Sequence, residues 1–355
     1  MSRSATSPFA ALLATLPHEP RAELILAEDR DRRPTVLMRV DGEPPRAFVG
    51  TPAGTGELLP AADDALPGAD LLRDPMALTR ALAPIGEVRS SRLVAWRPGR
   101  RAVLRVGLGN GDVVWLKLLD DKGWRRAMRA FAAIGAAPAP LRLCTPTLSL
   151  DEHCAYIVAP AAGVPLHRLL VAGEMPPLTI VSRAAMALAF TPVHAELPVL
   201  DFAAARDAAT RMLGKAAAVR PELTAIADRL AGLPAPAPIE PCLVHGDLHD
   251  KQLFLADAGA ALIDLDGMAL GDPRFDIANL TEHVRLRDLQ YRGDDGGLAD
   301  VLLARCNLDP DSAAARSFRI LVRARLCGVY ALRPRWTALA ERLRHEVDTL
   351  LENPQ

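Results

Sequence analysis

Lysine is scarce in this chain: only four (Lys117, Lys122, Lys215 and Lys251) stand among 42 cationic residues. Cysteine is scarce as well. The five present, Cys144, Cys154, Cys242, Cys306 and Cys327, are odd in number, widely spaced and without a C-x-x-C pair. That argues against a disulfide framework or a cysteine zinc site and for a reducing compartment, so the cytoplasm is the expected location. No apolar run approaches the ~20 residues that span a bilayer. Phe9–Leu16 has only Arg3 before it and no small-residue cleavage site after it, and reads as a short helix rather than a secretory leader. The formal net charge of −1 creates no global field for nucleic acid or anionic lipid, so neither a nucleic-acid nor a membrane partner is expected. No repeat of fixed period appears.

What is present is a long chain of 355 residues, half of them hydrophobic, enough for two lobes around a cleft. Its most informative stretch runs from Cys242 to Leu280. An apolar lead-in reaches His245-Gly246-Asp247. Gln252 follows five residues past Asp247. Leu253–Leu255 and Ala260–Ile263 are short apolar runs flanking a turn at Asp257-Ala258-Gly259, which predicts a β-hairpin. The hairpin delivers Asp247 just before its first strand and Asp264 just after its second, and antiparallel pairing brings those ends together.

Two carboxylates and an amide converging in this way suit phosphoryl transfer, which needs a divalent metal on the phosphates and a carboxylate to orient the attacking hydroxyl. A His-x-Asp step followed by an amide and then a strand-borne Asp is the kinase catalytic-loop pattern. The spacing of His245, Asp247 and His249 also admits a histidine–carboxylate metal centre, which would need a tetrahedral or facial arrangement foreign to such a loop.

Together, His245-Gly246-Asp247, Ile263-Asp264 and Gly271-Asp272-Pro273-Arg274-Phe275-Asp276-Ile277-Ala278 resemble the aminoglycoside phosphotransferase and choline kinase-like family. The resemblance covers about residues 85 to 330. It implies Asp247 as catalytic base and Asp264 as the main Mg²⁺ ligand. Gln252 stands where the family has Asn; its longer arm still carries an amide oxygen to a metal, and a surface position is the alternative. Asp266 fits either a partner of that ligand or a turn residue. Asp272 is expected to cap a helix and Asp276 to tie it to the catalytic loop. His249 and Asp250 either touch substrate or hold the loop's shape.

Upstream, Ser91–Trp96, Arg101–Leu108 and Asp112–Leu119 read as a three-stranded meander. The resemblance implies that the turn Arg97–Arg101, with Arg100 and Arg101, lies over ATP, and that Lys117 pairs with its phosphates. The next helix, Lys122–Ile134, carries Arg125, Arg126 and Arg129 but no Glu or Asp to hold that lysine, so Asp264 is the expected substitute. Leu141–Leu150 and Ala155–Ala159 read as two more strands. The backbone from Val158 to Ala161 is implied to meet the adenine edge.

The fold class expected is α+β and bilobal, protein-kinase-like, with an antiparallel five-stranded N-lobe at 85–160 and a mainly helical C-lobe at 161–355. Residues 1–84 form an extension. Within it Ala22–Ala27, Thr35–Val40 and Arg46–Val49 form a small sheet, punctuated by turns at Asp29-Arg30-Asp31 and Asp41-Gly42-Glu43, that caps the N-lobe. Residues 51–70 read as a linker, and Asp74-Pro75 opens a helix. C-lobe helices are expected at Leu166–Val171, Thr179–Leu197, Phe202–Ala217, Glu222–Leu233, Ile277–Arg287, Gly297–Arg305, Ser312–Leu332 and Trp336–Leu351.

The expected activity is transfer of the γ-phosphoryl group of ATP, with Mg²⁺, to a hydroxyl of a small polar acceptor such as a sugar, an amino alcohol or an aminoglycoside-like compound. The rival is a catalytically impaired nucleotide-binding scaffold on the same fold. A protein kinase is disfavoured by the missing Gly-x-Gly-x-x-Gly loop and A-P-E segment.

Overall fold

The computed structural model describes residues 8–352, apart from 17, 18, 20, 29–32, 41, 42, 44, 52, 53 and 258. The turns read at Asp29-Arg30-Asp31 and Asp41-Gly42, and Ala258 of the hairpin turn, lie outside the described residues.

A short helix α1 (Pro8–Leu13) precedes an antiparallel sheet of β1 (Glu23–Glu28), β2 (Pro34–Arg39), β3 (Arg46–Thr51) and β4 (Gly54–Leu58). The fourth strand falls in the stretch read as a linker. Its Gly-Thr-Gly start hides the signal, but β3 supplies a full ladder of partners. This sheet does not merely cap the N-lobe. Successive side chains of a strand point to opposite faces. Val36, Met38 and Phe48 therefore join the C-lobe core, while Leu37 and Ala47 join the N-lobe core. The sheet is a two-faced wedge between the lobes. The Leu24 amide also bonds the Leu332 carbonyl at 3.0 Å, and Arg333 meets Glu23 at 3.4 Å.

After α2 (Asp70–Arg73) and α3 (Pro75–Leu82), the latter capped by Asp74, come β5 (Val88–Arg97), β6 (Arg101–Leu108) and β7 (Val113–Leu119). Helix α4 (Asp121–Ala133) follows, then β8 (Leu141–Leu143), β9 (Leu148–Leu150) and β10 (Ala155–Val158). The N-lobe sheet has five strands in the order β5-β6-β7-β10-β9. Leu141–Leu150 is not one strand. Thr145-Pro146 interrupts it, and β8 pairs instead, in parallel, with a strand of the catalytic hairpin.

The C-lobe begins with β11 (Val164–Pro165), α5 (Leu166–Ala172) and α6 (Leu178–Ala189). Helix α6 stops well before Leu197. Pro192 has no N–H to continue it and biases Thr191 away from helix, and residues 192–194 bond α4's end instead, with His194 N to Ala133 O at 2.7 Å. Then come β12 (Val199–Leu200), α7 (Phe202–Ala216), α8 (Leu223–Ala231), β13 (Cys242–Val244), β14 (Leu253–Ala256), β15 (Gly259–Leu262) and β16 (Ala269–Gly271). Helices α9 (Pro273–Tyr291), α10 (Leu298–Arg305), α11 (Ala313–Ala331) and α12 (Thr337–Glu352) complete the lobe. Helix α9 runs through its centre with nearly every side chain buried. Its buried charges are paired: Glu282 accepts from Arg319 at 2.7 Å and Arg323 at 2.7 Å. Unpaired, such charges would not tolerate burial.

The architecture is the bilobal α+β fold expected, with the hairpin β14–β15 at the junction of the lobes.

Candidate active site

The loop after β13 is built on one buried carboxylate. Asp276, in the first turn of α9, accepts the backbone N–H of His245 at 2.5 Å and of Gly246 at 3.0 Å. Gly246 has φ +77, where a Cβ would be strained. The His245 ring contacts the Ile263 carbonyl through Nε2 at 3.0 Å, tying the loop to the end of β15. Asp272 caps α9 by accepting from Arg274 N at 2.9 Å. The hairpin register, Leu253 opposite Leu262 through Ala256 opposite Gly259, then returns the chain so that Asp247 and Asp264 line one cleft of about 920 Å³.

Asp247 presents a half-exposed side chain to this cleft. Arg325 of α11 donates to its Oδ1 at 2.8 Å and to Asn279 Oδ1 at 2.7 Å, while Asn279 donates to the Leu248 carbonyl at 2.7 Å. Partial burial works to raise the Asp247 carboxyl. The Arg325 guanidinium, helped by His249 and His245, outweighs it and holds the group below the ordinary carboxylate range.

Asp264 sits at φ +68, a left-handed conformation that costs free energy outside glycine and collects at functional sites. Lys117 donates to its Oδ1, lies 3.7 Å from Asp266 and is 13% exposed. Arg101 approaches Asp264 at 3.9 Å. Burial works to raise the Asp264 carboxyl, and the Lys117 ammonium followed by Arg101 depresses it far below its ordinary value. Helix α4 does begin with an acidic residue, Asp121, but Lys117 pairs instead with Asp264 and Asp266. Its Nζ also lies 5.7 Å from the Tyr156 ring centroid, within cation–π range.

Gln252 is buried and lines the same cleft. Its Oε1 accepts the His249 amide at 3.2 Å, leaving its second lone pair for a cation. The oxygens of Asp264 and Gln252 are the hard donors a divalent cation such as Mg²⁺ takes, so the residues present fit such an ion.

Arg100 does not line this cleft. It turns to Asp120, the cap of α4, at 3.5 Å. Val158 ends β10 opposite Trp115, and Ala161 stands in the connector; neither lines the cleft around Asp247. Asp250 points away from the cleft as a fully buried anchor. It accepts from Arg287 at 2.7 and 3.1 Å and meets His167 at 2.6 Å. Among the described residues His245, Asp247 and His249 do not bring their ligand atoms together as a metal centre, and His245 Nε2 faces the Ile263 carbonyl. His249, Asp250 and His283 do cluster, and Asp250 already accepts from Arg287 and meets His167. The two imidazoles stack with ring centroids 4.8 Å apart at 22°.

Two functional-site residues carried no local sequence signal. Arg325 reaches Asp247 only through the packing of α11 on α9. Asp63, in the stretch read as linker, accepts from Gly99 N at 2.8 Å and Trp96 Nε1 at 2.9 Å, fixing the Arg97–Arg101 turn.

A model described as the phosphotransferase enzyme family matches residues 98–318. No curated protein matches the chain. Among solved structures, the apo form of a thermostable mutant of aminoglycoside phosphotransferase APH(4)-Ia is 15% identical with a TM-score of 0.52, covering 77% of this chain and 98% of that one. Aminoglycoside phosphotransferase APH(3'')-Id from Streptomyces rimosus is 16% identical, TM-score 0.50, covering 73% and 98%. Amicoumacin kinase hAmiN, in complex with AMP-PNP, Ca²⁺ and Ami, is 13% identical, TM-score 0.50, covering 78% and 93%. At these identities the likeness establishes a kinase-like fold.

Proposed function

This chain belongs to the phosphotransferase enzyme family, and from that premise we propose that it transfers the γ-phosphoryl group of ATP to a hydroxyl of a small polar molecule. A sugar, an amino alcohol or an aminoglycoside-like compound each answers that description. The observation that carries the reading is the pairing of Asp247 and Asp264 across one cleft, with Lys117 bonded to Asp264. That the amicoumacin kinase of similar fold was solved in complex with AMP-PNP and Ca²⁺ supports a nucleotide and a divalent cation as ligands.

In this reading Asp247, kept ionised by Arg325, accepts a hydrogen bond from the acceptor hydroxyl, orients its oxygen in line with the γ-phosphorus and takes its proton as the new P–O bond forms and the bond from the γ-phosphorus to the β–γ bridging oxygen breaks, releasing ADP. Lys117 and Arg101 bind the phosphate oxygens. Asp264 and Gln252 hold Mg²⁺, which when bound neutralises phosphate charge. The Arg97–Arg101 turn, braced by Asp63, covers the nucleotide, and the connector around Val158 and Ala161 meets its base. His245 and Asp276 keep the loop in shape.

The test has two stages. A Mg²⁺-dependent rise in melting temperature on adding ATP is expected first, then ADP production with a panel of hydroxylated acceptors. Nucleotide binding without turnover on any acceptor, unchanged by Asp247→Asn, would instead favour a non-catalytic scaffold; transfer to peptides alone would favour a protein kinase.

A further inference from the structure

Helix α4 carries Lys122, Arg125, Arg126 and Arg129 at spacings of three and four residues, which places all four on one face. All four line the cleft that holds Asp247 and Asp264. Arg126 donates to the Gly267 carbonyl at 2.7 Å, so the face is docked on the turn that follows Asp264. Lys122, Arg125 and Arg129 are exposed and have no ion-pair partner among the described residues.

The opposite sign is in short supply. Four carboxylates line the cleft: Glu196, Asp247, Asp264 and Asp266. Three already face a cation: Asp247 has Arg325 at 2.8 Å, and Asp264 and Asp266 share Lys117. Among the described residues only Glu196 of these four has no ion-pair partner. A polycationic acceptor would find one free carboxylate and a row of like charges. An anion would find unpaired guanidinium forks, the group best suited to bidentate binding of carboxylate or phosphate. In the phosphotransferase reading Lys117 and Arg101 take the nucleotide's phosphates, which leaves the α4 face for a different ligand.

We propose that the acceptor is an anion, a hydroxyl compound bearing a carboxylate or phosphate group, and that Lys122, Arg125 and Arg129 hold that group beside Asp247. The proposal rests on the phosphotransferase reading and narrows its acceptor. It makes selectivity electrostatic: like charges facing a wrong partner reject it, and opposite charges draw the right one.

Calorimetric binding of four matched probes, glucose 6-phosphate, glucuronate, glucose and glucosamine, tests it at fixed ionic strength, with and without saturating MgADP. The expected order puts both or one of the anionic probes about tenfold or more tighter than glucose, with glucosamine weakest. The first two probes separate phosphate from carboxylate recognition. Arg125→Glu with Arg129→Glu removes the preference, and Arg125→Gln with Arg129→Gln weakens it, both at unchanged melting temperature since these side chains are exposed. Equal affinities, a preference for glucosamine, or selectivity that survives the double charge reversal overturns the proposal. Failure of MgADP itself to bind contradicts the phosphotransferase reading instead, while anion selectivity in the absence of nucleotide still decides the basic face.

Discussion

Arg325 donates to Asp247 Oδ1 at 2.8 Å, across 78 residues of sequence, and keeps the proposed base ionised. A base must be deprotonated to accept the hydroxyl proton. Because the Asp247 pKa is depressed, activity is present above it and falls as pH drops through it. Arg325→Ala removes the main lowering influence and lets burial raise the pKa. The acid limb of the kcat/KM profile then moves to higher pH, read directly by pH-dependent kinetics.

Lys117→Met leaves Asp264, among the described residues, with Arg101 at 3.9 Å as its one remaining ion pair. Removing one preorganised charge donor from a reacting centre costs on the order of 10²–10³ in rate. Loss of kcat of that size, with the protein still folded by circular dichroism, is the expected result.

Asp63→Ala strips two donors, Gly99 N and Trp96 Nε1, of their shared acceptor. Each donor left without its partner costs about 1–3 kcal/mol. Gly99 sits at φ +65, so the turn it shapes loosens when that bond is lost. The prediction is a lower melting temperature together with a higher KM for ATP and little change in kcat.

Asp250→Asn breaks a fully buried charge from Arg287 and His167. Loss of one member of a buried pair costs about 3–5 kcal/mol, visible in the midpoint of urea unfolding. The linkage has a definite sign. Asp250 is depressed far below its unfolded value: burial opposes this, but the His167 hydrogen bond and Arg287 outweigh it. Its contribution to stability is therefore present above the unfolded carboxylate pKa and is lost as pH falls toward the folded one. The variant is less stable than the native protein at neutral pH, and the gap narrows in acid.

The bilobal α+β fold was legible because its signals are local: alternating apolar runs, turn residues and caps such as Asp74 and Asp272. The convergence of Asp247 and Asp264 was legible for the same reason, since one tight hairpin connects them. What escaped depends on distant packing. Nothing around Arg325 marks it, because its reach to Asp247 follows from how α11 lies on α9. Strand β4 begins with glycine and threonine and becomes a strand only through pairing with β3. The two-faced burial of β2 shows as a run of buried residues, which periodicity alone assigns to no particular neighbour. Apolar spacing continues past Pro192, where the backbone cannot, so helix α6 ends at Ala189, short of the Leu197 that spacing predicts.

The most direct test is phosphoryl transfer by Asp247→Asn, beside its affinity for MgATP. General-base catalysis contributes about 10²–10⁴ in rate. Turnover should fall by that factor, while the melting-temperature rise caused by MgATP persists. Turnover within about threefold of the native protein, at retained nucleotide affinity, would contradict Asp247 as the base.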